Sequence, residues 1–405
     1  MRYAYLGMLH LVPALLTSCT GMNDMRLPGT VEMLESPAAH GSGEPFLTPT
    51  RDGRALLSWL EMQHDSSVAL RFAAWEGEGW SSPRTVVARP DFFVNWADFP
   101  SILELPDGRL ATHWLQREGA DTYAYGVRVS TSADGGVSWS QPLAPHTDGT
   151  LTEHGFVSLF ADGNDLGAVW LDGRNMGGAH GEGDGAMTIR YARIAEDGTL
   201  HDEAEIDART CECCQTDVAL LASGPIVAYR DRSPDEVRDI VVSRRINGVW
   251  TDPVRVHDDG WTISACPVNG PAIAAEEGVV AVAWFAAPED EPRVSVAFSQ
   301  DSGETFGPPV RIDDGNPAGR VDLVMLENGS ALVSWIERTS TGAVVRARYV
   351  TGEGAGGAMD VGASSEERAS GFPRMTRVDG GVLFAWTQPG SQSHVSIARV
   401  RLTPP

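Results

Sequence analysis

The sequence predicts an all-β fold, a β-propeller of seven four-stranded blades closed by an N-terminal strand in the last blade. A hairpin motif recurs seven times with a period near fifty residues. A strand with period-two alternation follows each copy, and the chain ends one strand short in the seventh, where residues 30–34 have the length and pattern to fill the vacancy.

The motif is an apolar segment, a tight turn, and a second apolar segment ending in a small residue plus an aromatic. Turns such as Asp52-Gly53, Asp107-Gly108, Asp162-Gly163, Asn328-Gly329 and Asp379-Gly380 suit a two-residue hairpin, because Gly and Asn accept the left-handed backbone that such turns demand. The aromatic anchors are Trp59, Trp114, Trp170, Tyr229, Trp284, Trp335 and Trp386. Third strands follow at Val127–Ser130, Ile189–Ala192, Val294–Ala297 and Val344–Ala347. Fourth strands are expected at positions such as Arg84–Val87, Val254–Val256 and Val310–Ile312. Thr30–Leu34 is expected to pair with the terminal sheet, which removes an open sheet edge and ties the two ends of the chain together.

Two turns carry a longer pattern, Ser-x-Asp-x-Gly-x-x-aromatic: Ser132 to Trp139 and Ser299 to Phe306. Asp caps N–H groups of its own turn, Gly takes positive φ, and the aromatic plugs between strands. On this pattern the chain resembles the Asp-box proteins of the sialidase superfamily. The resemblance implies a propeller, with six blades as the alternative to the seven counted here. It further implies three Arg on a substrate carboxylate, an acidic acid/base, and a Tyr nucleophile activated by Glu. The Arg-Ile-Pro signature of such enzymes is missing; Pro45-Phe46-Leu47-Thr48-Pro49 stands in its place without the Arg.

The chain has 405 residues, with 31 basic against 55 acidic and a net charge of −24; every basic residue is Arg. A surface of that sign repels phosphate backbones, so nucleic acid is not an expected partner. Without Lys there is no Schiff-base nucleophile. Arg2, an apolar run to Leu16, and Leu16-Thr17-Ser18-Cys19 read as a lipoprotein export signal over residues 1–19, leaving Cys19 as the lipid-attachment residue. The apolar run is shorter than the roughly 20 residues a spanning helix needs, so the expected membrane contact is through that lipid alone. Residues 20–29 form a tether and residues 30–405 the propeller. The expected location is the bacterial cell envelope.

In a propeller one rim carries the hairpin turns, and the opposite rim gathers the connections into each innermost strand and those after the aromatic anchors. Ligand chemistry is expected on that second rim. Arg230 to Asp239 brings three Arg and four acidic residues there. Arg174, Arg230, Arg232 and Arg238 are candidate ligand-binding cations, because guanidinium forks match carboxylates. A lattice of mutual salt bridges is the structural alternative. Asp231 and Asp172 are candidate acids, and Glu236 a candidate base, for glycoside hydrolysis. Tyr229 sits at the core aromatic position, which argues for packing rather than nucleophilic attack. His154 and His180 are candidate acid/base groups or ligands, and Asn269 either aims its amide at a ligand or fixes a turn.

Four Cys remain after Cys19: Cys211, Cys213 and Cys214 in one cluster, and Cys266 one repeat later. Both stretches precede inner strands of adjacent blades and should meet near the channel mouth. In an exported protein a bridge from the cluster to Cys266 is one reading, and a thiolate site for copper or zinc is the other. The expected function is a glycan-binding or glycan-hydrolysing propeller taking a glycan or small acidic ligand, with a non-catalytic binding or assembly protein as the alternative.

Overall fold

A computed structural model of the chain describes residue 1 and residues 29–176 and 185–402. The expected export signal with Cys19, almost all of the tether, and His180 lie outside the described residues.

Seven antiparallel sheets are arranged in a ring, each blade's innermost strand touching that of the next. Blade 1 comprises Ser42–Pro49, Ala55–Met62, Val68–Ala74 and Arg84–Arg89. Blades 3, 5 and 6 repeat that order with inner strands His154–Asp162, Ala272–Glu276 and Pro317–Met325. Blade 4 runs from Asp217–Leu221 outward, its outer edge split into two two-residue strands. Blade 2 (Ser101–Glu104, Leu110–Arg117, Tyr125–Ser132) keeps only a single bridge, Val129 to Leu143, where a fourth strand would lie. Pro142 and Pro145 flank Leu143, and neither has the N–H that a longer ladder requires.

Second strands are buried almost throughout, because neighbouring blades cover both of their faces. All seven aromatic anchors are buried to 2% exposure or less. Several indole N–H groups find a carboxylate two residues ahead: Trp59 donates to Glu61, Trp170 to Asp172 and Trp335 to Glu337. Since alternate residues on a strand share a face, this pairing satisfies a buried donor from within its own strand.

The ring closes as the alternation predicted. Val31–Leu34 forms the outer strand of blade 7 beside His394–Arg401, with Val31 opposite Val400 and Leu34 opposite Ile397. Arg399 and Arg401 fix this strand through Glu32. The two Asp-bearing turns are built alike. Asp134 Oδ1 accepts the N–H groups of Val137 and Ser138, and Ser132 Oγ accepts that of Gly136 at 2.8 Å. Asp301 Oδ1 accepts the N–H of Thr305, and Ser299 Oγ that of Gly303 at 2.8 Å.

Candidate functional site

Antiparallel pairing puts the start of each inner strand beside the end of the second strand, so both deliver residues to one rim. Asp172 lies opposite His154, and the Cys211 N–H donates to the Arg230 carbonyl at 3.0 Å. Two polar clusters form on this rim, flanking the loop that follows Asp172.

The first joins blades 4 and 5. Cys211 Sγ stands 3.3 Å from Cys214 Sγ and 4.0 Å from Cys213 Sγ, all three buried, and the Cys266 side chain hydrogen-bonds Cys213. The topology therefore brings Cys266 to the triplet, as the repeat spacing implied, and no disulfide joins any of the four. Arg238 donates to Cys211 Sγ at 3.2 Å and to Glu212 at 3.0 Å. Arg232 pairs with Glu212 and, at 2.7 Å, with Glu236, which also accepts from Arg238 at 2.9 Å. Glu212, Arg232 and Arg238 line a cavity of about 330 Å³ together with Met176, Ser264, Ala265 and Cys266.

Electrostatics follow from that lattice. Hydrogen bonds from Arg232 and then Arg238 hold the Glu236 carboxyl below its ordinary value despite some burial, so Glu236 stays ionised. Burial pushes Asp231 up, with Asp207 and Asp239 adding to the rise and the Arg232 N–H opposing it. At Cys211 burial opposes ionisation, yet the Cys213 and Cys214 hydrogen bonds and the Arg238 charge outweigh it, and the thiol is held well below its ordinary value. Cys214 moves the other way, to about 12, chiefly through burial.

The remaining predicted residues do different work. Arg230 is 1% exposed, stacked 5.0 Å from the Trp261 ring, and spends its donors on the carbonyls of Asn269, Phe285 and Arg238. It ties blade 4 to blade 5 and is absent from the cavity lining. Asn269 accepts the Arg320 N–H at 2.7 Å and donates to Pro267 and Ala318 carbonyls, so its amide holds a turn and the next blade. The Tyr229 hydroxyl donates to Asp207 at 2.8 Å, and burial with that carboxylate pushes its pKa well up, which keeps the phenol protonated.

The second cluster lies between blades 2 and 3. His146 and His154 rings stack at 3.9 Å, and Asp148 Oδ1 stands 3.2 Å from His154 Nε2. Arg174 grips Asp172 with two bonds of 2.7 Å and lies 3.4 Å from Asp148. Burial alone would raise Asp172, but Arg174, His154 and the Trp170 indole outweigh it and hold the carboxyl low. An acid so held is a poor proton donor. Burial and the neighbouring His154 push His146 down to about 3, leaving it neutral. Sequence reading missed His146 and Asp148, whose only signal was a His-x-Asp in the segment where blade 2 loses its fourth strand. It also missed Tyr125, whose hydroxyl donates to Glu153 at 2.6 Å; that pair is buried, and burial pushes the Tyr125 phenol well up.

A small central cavity, among the inner strands of blades 1 to 4 and 7, measures about 50 Å³ and is lined by Phe46, Asp98, Phe99, Gln215, Asp217 and Arg374 among others. A pocket for a small ligand typically needs about 300 Å³ or more, so the rim cavity has room and this central one does not.

No protein-family model matches the sequence, and no curated protein sequence matches it. Solved structures with the same fold do. The BP39L lectin of Burkholderia pseudomallei aligns with TM-score 0.60 at 11% identity, covering 89% of this chain and 96% of the lectin. The polysaccharide lyase Uly1 aligns with TM-score 0.55 at 10% identity, covering 89% and 90% respectively. The endosialidase of phage phi92 aligns with TM-score 0.51 at 10% identity, covering 94% of this chain and 70% of the enzyme.

Proposed function

We propose that this chain is a carbohydrate-binding propeller whose glycan sits in the rim cavity between blades 4 and 5. The observation that carries the reading is the cavity itself: about 330 Å³, edged by Arg232, Arg238 and Glu212 with Glu236 behind them, whereas the small central cavity offers about 50 Å³. Sugar hydroxyls both donate and accept, so alternating guanidinium donors and carboxylate acceptors suit them. Two Arg matched by two Glu leave the cavity wall near neutrality, which admits neutral sugars as well as acidic ones. Further support is the fold shared with a lectin, a polysaccharide lyase and an endosialidase.

A hydrolytic reading draws on one feature, the opposite displacement of Asp231 and Glu236, one carboxyl pushed up and the other down on a single loop. Binding and turnover separate in one experiment. Wild type, Arg232→Ala and Asp231→Asn are titrated calorimetrically with neutral, uronate and sialylated oligosaccharides, and incubated with matching fluorogenic glycosides. Binding that falls about tenfold or more in Arg232→Ala, with no turnover, supports the binding reading. Turnover abolished by Asp231→Asn replaces it with the hydrolase, and affinity unchanged in Arg232→Ala removes the site.

The lipobox-like Leu16–Cys19 supports attachment of the propeller to an envelope membrane through Cys19. Cys19→Ser should then shift the protein from the membrane fraction to the soluble one; an unchanged distribution rules the lipid out.

A further inference from the structure

The sulfur cluster is not explained by carbohydrate binding. The donor atoms of Cys211, Cys213 and Cys214 all lie within 4.8 Å of one another, and this mutually close set, among the described residues, contains sulfur alone. Cys266 reaches Cys213 from blade 5. Three sulfurs meeting around one point is not a pairwise arrangement: a disulfide between any two leaves the third facing the bond. The 3.3 and 4.0 Å separations are far beyond a covalent S–S bond of about 2.05 Å, and they bracket the roughly 3.8 Å expected between thiolates that share one cation at about 2.3 Å each.

The surroundings favour a soft cation. Glu212, the carboxylate inside the triplet, is turned to Arg232 and Arg238 and does not join the sulfurs. Met176 belongs to the same buried apolar cluster as the three Cys and lines the cavity with Cys266. Among the described residues, the mutually close set stops at three sulfurs with no His or carboxylate among them, which suits copper(I), whereas zinc is completed to four by Cys, His or carboxylate. One guanidinium, Arg238, touches the sulfurs, at 3.2 Å from Cys211, and offsets thiolate charge there.

We propose that Cys211, Cys213 and Cys214 hold a single copper(I) ion at the seam between blades 4 and 5, with Cys266 of the adjacent blade against it through Cys213. Each sulfur that binds as thiolate releases its proton to solvent, and no change of metal oxidation state is involved. The ion would join two blades through their loops and stand beside the rim cavity, behind Cys266. The site adjoins the proposed sugar cavity through Arg238 and Cys266, and its test reads metal rather than glycan.

The experiment is an anaerobic titration of the full chain, reduced and then freed of reductant, with copper(I) against the competing chelator bicinchoninate. Expected are one equivalent of copper per chain and a sulfur-to-copper charge-transfer band in the near ultraviolet. Cys213→Ser/Cys214→Ser should lower affinity roughly 100-fold. Cys266→Ser, at an exposed position, should weaken copper while leaving the melting curve of the metal-free protein unchanged, which separates lost ligation from lost folding. Zinc retained in preference to copper(I) overturns the assignment. So does non-reducing peptide mass spectrometry that finds the four Cys as two disulfides in copper-exposed protein, or copper stoichiometry indifferent to all these substitutions.

Discussion

Arg230 and Arg232 are two positions apart, yet they have opposite fates. Both point from the same rim of blade 4, but Arg230 is walled in by three carbonyls and Trp261, while Arg232 reaches the cavity edge. Burial likewise decides how single carboxyls titrate. Asp217, lining the central cavity, is pushed up to about 6 by burial, with Arg374 and the Ile273 N–H opposing. In the unfolded chain it ionises near 3.9. Between these values the native state keeps a proton that the unfolded chain has lost, so the group imposes no penalty below about pH 4, and stability falls as pH rises through about 6. The full penalty is on the order of 3 kcal/mol. Asp217→Asn retains an acceptor for the Ile273 N–H. Its melting temperature should therefore decline less than that of wild type between pH 4.5 and 7.5, and parallel curves for the two proteins would remove Asp217 as the cause.

At the scale of elements, the Asp-bearing turns clamp neighbouring blades. A Cβ on Gly136 of blade 2 would fall 2.3 Å from Phe72 of blade 1, and one on Gly303 of blade 5 would fall 2.5 Å from Ile226 of blade 4. Both glycines have positive φ, 84° and 82°. Each turn thus uses glycine twice, for backbone conformation and for close approach to the preceding blade. Gly303→Ala should cost about 2–4 kcal/mol, combining left-handed strain with overpacking. Gly278→Ala is the control, since its φ is 84° but its nearest neighbour would stand at 3.5 Å; it should cost only about 1 kcal/mol. Urea unfolding reads the difference, and equal costs would reduce the clamp to backbone strain alone. The turn pattern was legible in the sequence because Ser, Asp, Gly and the aromatic lie within eight residues. Its partner on the next blade was not, because Phe72 and Ile226 are some 60 to 80 residues away and carry no mark of the contact.

At the scale of the molecule, the ring stands on closure by Val31–Leu34. Without that strand, His394–Arg401 becomes an exposed edge with unpaired backbone groups, and Arg399 loses its Glu32 partner. Removing residues 1–35 should lower the melting temperature by about 10 °C or more and promote edge-to-edge association, read by calorimetry and light scattering. A truncated chain that stays monomeric with an unchanged melting point would mean that closure does not depend on this pairing.

By itself, the sequence determined what repeats along the chain: seven blades, their aromatic anchors, the N-terminal strand that completes the last one, and the meeting of Cys266 with the triplet one blade away. Each is set by periodicity and by chain order around a ring. Only the tertiary structure decided which charges face a cavity, which are locked in pairs, and that the rim cavity is several times larger than the central one. A charged side chain takes its state from burial and from partners on other strands, and those partners are chosen by packing in three dimensions, which no local pattern records.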